Sequence, residues 1–307
     1  MSTAGQTSNS VLLVRPASFG FHAEAASSNV FAKAPDADVQ DQALAEFEAL
    51  AGRLSQARVN TLILDDAPEP AKPDAVFPNN WISFHRDGTI VLYPMATAAR
   101  RLERNVEAIT KLVTAAGFEV RRVVDLTGHE QHERFLEGTG SLILDRPRRQ
   151  AYASLSPRTD RDAIADFDEK LDCSTLVFEA TDARGRPIYH TNVLMSFGAR
   201  FAMLCTEAVA PGARAALIAE IEASGRTLIE VGFEQMNRFA CNLIELQNRD
   251  GDPVIALSTT ALEALRPEQR RALESFGELV AVPIPTIEAV GGGSVRCMIA
   301  DIHLPRR

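Results

Sequence analysis

The chain has 307 residues, of which 46% are hydrophobic and 24% are charged, and its formal net charge is -9 with a sequence pI of about 5.3. An acidic chain of this kind is poorly suited to bind nucleic acid or an anionic membrane, so we expect a small-molecule partner. Its four cysteines are widely spaced and form no disulfide framework, which indicates a reducing compartment and predicts a cytoplasmic protein.

The first residues show where the folded domain begins. Residues 1–9 are small and polar, without the basic start and the apolar core of a signal peptide, and no later run reaches the length of a membrane span. We therefore predict a disordered tail over residues 1–9 and a single folded domain over residues 10–307.

The first elements in chain order are a strand, a long loop, a helix and a second strand. Val11–Val14 is a short apolar strand, and the loop that follows it to about residue 38 has the length of loops that cover functional sites. Apolar positions three and four residues apart predict a helix over residues 39–56. Val59–Leu64 then has the apolar composition of a buried strand.

A unit of hairpin, helix and strand then recurs along the chain. Strands Asn80–His85 and Thr89–Tyr93 form the first hairpin across Asp87-Gly88, followed by a helix near residues 97–116 and the strand Phe118–Val124. The later units are hairpin 140–155, helix 158–171 and strand 175–178; hairpin strands 192–197 and 201–205, helix 211–224 and strand 227–231; and hairpin strands 242–247 and 254–257, helix 260–276 and strand 279–282.

About five similar units at a spacing of roughly 50 residues indicate a ring of repeats. The last segment, Cys297–Leu304, is expected to pair with the first strand, Val11–Val14, and to close the ring. The expected fold class is therefore α/β, as a five-bladed pseudosymmetric α/β propeller. In such a ring, the starts of the hairpin strands converge on the central axis.

Polar residues with useful chemistry stand just before those strands, among them Glu137, His190 and Cys297. A thiolate can act as a nucleophile, a histidine can protonate a leaving amine and later activate water, and a carboxylate can hold a substrate nitrogen. Taken singly, each residue has a structural explanation, such as a free cysteine that packs as a small hydrophobe. Their convergence at one structural position favours a catalytic site.

Four motifs spanning nearly the whole chain resemble the guanidino-group-modifying superfamily. They are Asp74-Ala75-Val76-Phe77-Pro78-Asn79-Asn80-Trp81, Leu136-Glu137-Gly138-Thr139-Gly140-Ser141, Tyr189-His190-Thr191-Asn192-Val193 and the run Gly291–Asp301. That superfamily includes arginine deiminases, dimethylarginine dimethylaminohydrolases and amidinotransferases, and its five-bladed α/β propeller is the pentein fold. Within it, the chain looks most like the citrulline-utilisation hydrolases.

The resemblance implies a role for each site residue. Cys297 would be the nucleophile, His190 the general acid/base and Glu137 its carboxylate partner. The residues implied around the substrate are Asp74, Phe77, Asn79, Asn80, Asn192 and Gly293. No cofactor and no metal are expected, because phosphate-loop and dinucleotide motifs are missing from the sequence and the run Gly128–Glu133 lacks the spacing of a zinc motif.

The asparagines at positions 80 and 192 stand where the arginine-deiminase branch carries aspartates that hold a guanidinium. A guanidinium only donates hydrogen bonds, whereas a neutral ureido group also accepts them, and asparagine can both donate and accept. This favours L-citrulline, cleaved to ornithine, ammonia and carbon dioxide through a covalent intermediate on Cys297. An asparagine before a strand also often serves the backbone turn, so the substitution has a structural explanation as well.

Several alternatives stay open at the level of the sequence. The chain could be an arginine deiminase or a dimethylarginine dimethylaminohydrolase, both of which form citrulline, or a catalytically silent propeller that acts as a binding scaffold. Arg15, Arg100 and Arg101 are candidates to bind the substrate carboxylate. Arg296 and the glycine-loop amides are candidates to stabilise the thiolate. The oligomeric state is open, a homodimer being one option.

Overall fold

The computed structural model describes residues 5–307, and its strands form five three-stranded sheets. The sheets have the strand orders β15-β1-β2, β3-β4-β5, β6-β7-β8, β9-β10-β11 and β12-β13-β14. The strands are β1 (Ser10–Arg15), β2 (Asn60–Asp65), β3 (Ile82–Phe84), β4 (Thr89–Leu92), β5 (Arg122–Asp125), β6 (Ile143–Asp145), β7 (Gln150–Leu155), β8 (Ser174–Glu179), β9 (Met195–Phe197), β10 (Phe201–Cys205), β11 (Thr227–Val231), β12 (Ile244–Gln247), β13 (Pro253–Ser258), β14 (Glu278–Val282) and β15 (Ala300–Asp301).

Every sheet has the same internal pattern, in which the middle strand is antiparallel to one neighbour and parallel to the other. Helices lie between the middle strand and its parallel neighbour, as a parallel connection requires. These helices are α1 (Ala23–Ala26), α2 (Gln40–Gln56), α3 (Ala98–Arg101), α4 (Val106–Ala115), α6 (Arg161–Leu171), α8 (Pro211–Ala223), α10 (Thr259–Ala264) and α11 (Pro267–Glu274). The short helices α5 (Gly138–Ser141), α7 (Thr191–Leu194) and α9 (Phe233–Met236) instead precede the antiparallel strands β6, β9 and β12.

Burial explains why these segments take these forms. The middle strand β10 is apolar at every position and buried along its whole length, as expected for a strand covered on both faces. Helix α2 instead buries one stripe of residues spaced three or four apart, namely Ala43, Phe47, Leu50, Ala51 and Leu54. Strand and helix periodicity therefore alternate along the chain in step with the repeated unit.

The two ends of the described chain meet in one sheet and close the ring. Strand β1 pairs parallel with β2 and antiparallel with β15, with Val11 opposite Asp301. Strands at the inner edges of neighbouring sheets contact one another, including β15 with β3, β6 with β9 and β9 with β12. The predicted five-bladed α/β propeller is confirmed.

The residues predicted at the starts of the inner strands lie instead in short turns that precede those strands. Cys297 is in a helical turn, in which its N–H donates to the carbonyl of Ser294, and the predicted strand Cys297–Leu304 shortens to β15. Asn80 ends a 3-10 turn over Pro78–Asn80. Helices α5 and α7 occupy the corresponding places before β6 and β9. The functional position of each unit is therefore a turn, and the inner strand begins after it.

Two predicted helices are each divided. The helix predicted over residues 97–116 separates into α3 and α4, because Asn105 accepts a hydrogen bond from the N–H of Ala108 and so begins a new helix. The helix predicted over residues 260–276 separates into α10 and α11 at Pro267, whose ring cannot continue the first helix. The strand predicted from Phe118 begins only at Arg122.

The predicted tail is wrong for residues 6–8, while residues 1–4 lie outside the described residues. Gln6, Thr7 and Ser8 are buried. The Gln6 amide donates to the carbonyl of Leu144 and accepts from the N–H of Arg146. These contacts attach the start of the chain to another sheet, so small polar residues here serve tertiary hydrogen bonds. None of the helices formed by residues 5–307 has the length and apolar character needed to cross a membrane.

A buried ion pair joins two neighbouring sheets and leads to a stability prediction. Arg226 donates two hydrogen bonds to the Asp145 carboxylate, at 2.8 and 2.9 Å, and both side chains are buried. Replacing Arg226 with alanine leaves the carboxylate buried without its bidentate partner, so we expect a loss of about 3–5 kcal/mol of unfolding free energy. Urea denaturation followed by circular dichroism measures this loss.

The matched control is Arg238→Ala, which breaks an ion pair with Glu263 between two exposed side chains. Exposed pairs contribute about 0–1 kcal/mol, so this variant should unfold close to the wild type. Equal destabilisation of the two variants would contradict the assigned role of the Arg226 pair.

Candidate active site

The turns that precede the inner strands come together in space. Glu137 lies immediately before α5 and His190 immediately before α7, and α5 contacts both α7 and the turn Pro78–Asn80. Gly138 makes this close approach possible, because its φ is +49° and a Cβ there would lie 2.2 Å from the carbonyl oxygen of Asn79. The glycine in the Glu137 motif is therefore required by the backbone contact.

Glu137 and His190 form a buried pair. His190 Nε2 lies 2.8 Å from Glu137 Oε2, and Arg158 Nη1 lies 3.3 Å from the same oxygen. The other carboxylate oxygen accepts the N–H of Ala96 at 3.0 Å. Burial by itself raises the pKa of Glu137, but the Arg158 guanidinium and the His190 hydrogen bond outweigh it and hold that pKa well below its usual range. The carboxylate is therefore charged.

His190 is neutral at physiological pH. Burial lowers the pKa of His190 to about 4, although the hydrogen bond and the charge of Glu137 act in the opposite direction. A neutral imidazole that donates from Nε2 keeps a lone pair on Nδ1. This nitrogen can accept a proton and pass it on, as a general acid/base must.

Two amide groups contact the sulfur of Cys297. The side-chain nitrogens of Asn192 and Asn242 each lie 3.4 Å from Sγ, and the thiol is buried. Arg296, a candidate from the sequence to stabilise the thiolate, bonds the carbonyl of Ile299 and the Asp301 carboxylate with its guanidinium. The hydrogen bonds formed by the Arg296 guanidinium therefore lead away from the sulfur.

A small cavity of about 10 Å³ opens beside the thiol, with room for about one water molecule. Its lining residues are Asp74, Phe77, Asn80, Arg100, Arg158, Tyr189, His190, Gly291, Gly293 and Cys297. Six of the nine site residues predicted from the sequence are therefore in the wall. Of the other three, Glu137 bonds His190, Asn192 bonds the sulfur, and Asn79 bonds Asn80.

A larger cavity of about 600 Å³, with Tyr189 in its wall, does not include Cys297.

Two arginines line the cavity, and only one of them was a sequence candidate. Arg100 is buried, with two bonds to the Glu103 carboxylate at 2.9 Å and one to Asn80 Oδ1 at 2.6 Å. Arg158 was missed, because nothing in its local sequence distinguishes it from a surface residue. The remaining candidates, Arg15 and Arg101, are not among the residues of the cavity wall.

Residues 22–31, which we call the covering segment, pack against the residues that line the cavity. His22 Nδ1 lies 2.8 Å from Asp74 Oδ2, and Asn29 Nδ2 donates to the carbonyl of Gly292 at 3.1 Å. Arg158 donates from Nη2 to the carbonyl of Ala25 and from Nε to Ser28 Oγ, at 2.6 and 2.9 Å. The covering segment is thus bonded directly to residues of the cavity wall.

The run Gly128–Glu133, considered above as a metal motif, makes protein contacts. His129 Nε2 lies 3.0 Å from Asp166, and Glu130 accepts from Arg104 and from the N–H of Met95. Within residues 5–307 there is no group of three or more histidine, cysteine, aspartate and glutamate side chains that could hold a metal ion.

The family model described as N,N dimethylarginine dimethylhydrolase, eukaryotic, matches residues 15–304. No curated protein matches the chain. Unliganded AgrE has a solved structure that superposes with a TM-score of 0.74 at 17% identity, over 97% of this chain and 40% of that one. The chain likewise spans 40% of full-length ArgZ.

Two further solved structures match over nearly their whole length. The N-terminal domain of ArgZ bound to its product, an arginine dihydrolase from the ornithine-ammonia cycle in cyanobacteria, gives a TM-score of 0.73 at 17% identity and covers 96% of this chain and 99% of that one. A dimethylarginine dimethylaminohydrolase adduct with 4-chloro-2-hydroxymethylpyridine gives 0.65 at 16% identity, over 96% and 99%. These likenesses show the pentein fold.

The low pKa of His190 leads to a prediction about pH. In the folded protein His190 should titrate near pH 4, whereas the unfolded chain takes up this proton near the ordinary value of 6.5. The contribution of buried, neutral His190 to folding stability is therefore complete above pH 6.5 and is lost progressively as the pH falls from 6.5 to 4. Imidazole NMR across this range, assigned with His190→Gln, measures the titration.

Glu137→Gln removes the charge that raises the pKa of His190, so the midpoint should move further down in that variant. A His190 midpoint near 6.5 in the wild type would contradict the dominance of burial over the charge of Glu137 and would show that His190 is not neutral across this range.

Proposed function

The chain belongs to the family described as N,N dimethylarginine dimethylhydrolase, eukaryotic, and from that premise we propose that it is a cofactor-independent thiol hydrolase that cleaves the ureido group of L-citrulline. The products would be ornithine, ammonia and carbon dioxide. Cys297 would be the nucleophile, His190 the general acid/base, and Glu137 the carboxylate that orients His190. The proposal concerns the substrate and the residue roles within that family.

The observation that carries the choice of substrate is that the groups on the sulfur are amides and not carboxylates. Asn192 and Asn242 are the side chains that hydrogen-bond Cys297 Sγ in the described part of the chain. A guanidinium near the sulfur would need anionic acceptors, whereas a neutral ureido group is satisfied by amides.

Two buried amide atoms support the same choice. Asn192 Oδ1 and Asn79 Nδ2 have no hydrogen-bond partner among residues 5–307. One is an acceptor and the other a donor, and buried polar atoms are normally paired. A ureido group, which donates from its nitrogens and accepts at its oxygen, complements this combination.

The charged groups around the cavity are largely paired with one another. Glu137 is paired with Arg158, and Glu103 with Arg100. Asp74 is the one carboxylate in the cavity wall, and it already contacts His22. Each arginine in the wall is thus already paired with a glutamate, and Asp74 remains as a carboxylate that could hold a cation, so these charges do not separate a guanidinium from a neutral ureido group.

The proposed reaction has two stages. In the first, Cys297 sulfur bonds to the ureido carbon, the bond from that carbon to the δ-nitrogen breaks, and the thiol proton passes through His190 to the departing amine of ornithine. A carbamoyl thioester remains on the enzyme. In the second, His190 takes a proton from water, the hydroxyl attacks the thioester, and the proton returns to sulfur as carbamate leaves and decomposes to ammonia and carbon dioxide.

Arg158 is the proposed anchor of the substrate carboxylate. Two of its hydrogen bonds go to neutral groups of the covering segment, the carbonyl of Ala25 and the hydroxyl of Ser28. A carboxylate makes a stronger, charge-assisted bond with a guanidinium than either of these groups does. Since a cavity of about 10 Å³ cannot hold an amino acid, the covering segment has to shift before the substrate can bind.

A second candidate substrate is arginine or a methylated arginine, with citrulline as the product. The structures of related proteins include AgrE with L-arginine and ArgZ bound to its substrate. The Asp74 carboxylate in the cavity wall is the group here that would suit a guanidinium. The products of the reaction separate this candidate from the first one.

The direct test is product analysis by mass spectrometry on purified protein given L-citrulline, L-arginine and dimethylarginine in separate reactions. We expect ornithine from citrulline, with turnover abolished in Cys297→Ala and retained in the control Cys173→Ala, whose thiol is not in the cavity wall. Citrulline formed from arginine or dimethylarginine would support the second candidate. No turnover of any of the three would favour a catalytically silent binding protein.

Asn192→Asp tests how the ureido group is recognised. The substitution keeps the shape of the side chain but exchanges its donor for a negative charge beside the sulfur, so kcat/KM for citrulline should fall by about 10- to 100-fold. The preference should also shift toward arginine, because a carboxylate suits a guanidinium. The matched control is Asn237→Asp, which makes the same change at an exposed residue. If the ratio of kcat/KM for citrulline to kcat/KM for arginine is the same in Asn192→Asp as in the wild type, recognition of the ureido group by Asn192 is ruled out.

A further inference from the structure

Asn242 was not among the site residues predicted from the sequence, yet its side chain is in contact with the candidate nucleophile. We infer that Asn242 is a positioning residue that keeps the Cys297 sulfur available as a thiolate by donating an amide N–H to it. This inference rests on the proposed nucleophile but is independent of which substrate the enzyme cleaves.

The orientation of the Asn242 amide is determined by two neighbours. Its Oδ1 accepts the backbone N–H of Arg296 at 3.0 Å, and its Nδ2 donates to the carbonyl oxygen of Asn192 at 3.1 Å. A flipped amide would place two donors face to face at Arg296 and two acceptors face to face at Asn192. The amide nitrogen is therefore constrained to face the sulfur, at 3.4 Å.

The two amides are the hydrogen-bond donors to the sulfur, while the charge of the adjacent Arg296 acts on Cys297 only through space. The hydrogen-bond contacts of the sulfur within residues 5–307 come from Asn192 and Asn242, and the guanidinium of Arg296 is bonded elsewhere. Hydrogen bonds to the charged form of a group favour that form, and a thiolate is the reactive form of a cysteine. A protonated thiol could instead donate only to Asn242 Oδ1, at the longer distance of 3.8 Å.

The backbone around Asn242 is arranged to present this side chain. Phe239, three residues earlier, has a φ of 60°, and its carbonyl accepts the N–H of Asn242 at 2.8 Å. A bulky residue in this left-handed region costs about 1–3 kcal/mol, and such strain is found mainly at functional sites. The Phe239 ring packs against Phe31 of the covering segment, with ring centroids 5.0 Å apart.

The test is the pH dependence of alkylation of Cys297 by iodoacetamide in the protein without substrate. Asn242→Ser removes the amide donor beside the sulfur without adding a charge, so a change in the midpoint reports the lost hydrogen bond. We expect the midpoint of the pH profile to rise by about one pH unit. A residue with only a structural role would leave this midpoint in place.

Peptide mass spectrometry separates Cys297 from the other three cysteines. Burial raises the pKa of Cys173 to about 12 and that of Cys205 to about 11, so neither competes near neutral pH. The matched control is Asn237→Ser at an exposed residue, and thermal unfolding reports whether each variant is folded. Asn242→Asp is the second variant, because it keeps an oxygen for the Arg296 N–H, and its negative charge should raise the midpoint further.

An unchanged midpoint in a folded Asn242 variant overturns the inference. A raised midpoint supports it even if the wild-type protein does not hydrolyse citrulline, because alkylation requires no substrate. Conversely, ornithine formation by the wild type together with an unchanged midpoint would support the proposed function and reject the role of Asn242. The two proposals can therefore fail separately.

Discussion

The arrangement of the site depends on one buried carboxylate, that of Glu137, and on the groups that compensate its charge. An isolated carboxylate at this depth would cost several kcal/mol, so it must be paired and hydrogen-bonded. Its partners Ala96, Arg158 and His190 come from three different parts of the ring. Arg158 then bonds the covering segment with its remaining nitrogens. One requirement for charge balance thus fixes the imidazole, brings a cation to the cavity and attaches the covering segment to it.

The ring and the central members of the site were predictable because both are repeated features. Strand and helix periodicities alternate in each unit, and chemically capable residues recur at the same place, so Cys297, His190 and Glu137 could be aligned without coordinates. The segments predicted to be the first residues of strands are turns, however. A turn such as Pro78–Asn80 is too short to show a helical period. Sequence patterns therefore located the position in each unit correctly but assigned it the wrong local structure.

The parts of the site that could not be predicted are those created by contacts between distant segments. Arg158 bonds Ala25, which is 133 positions away, and no motif marks either residue. Arg15 and Arg100 are indistinguishable as sequence, and they differ only in that Arg100 is buried against Glu103 and Asn80. Burial depends on the whole fold, so the sequence could supply the candidate arginines but not choose among them. The same holds for Asn242, whose role depends on the backbone of Arg296.

The asparagines around the sulfur acquire their chemical character from their neighbours. An amide presents a donor or an acceptor according to how it is turned, and here Arg100 holds the oxygen of Asn80, while the Arg296 N–H holds that of Asn242. With these orientations imposed, the unpaired atoms left among the site asparagines of the described chain are an acceptor on Asn192 and a donor on Asn79. A purely cationic ligand could pair only with the acceptor. On the proposed function, the preference for a ureido group therefore comes from the contacts behind the asparagines as much as from the asparagines themselves.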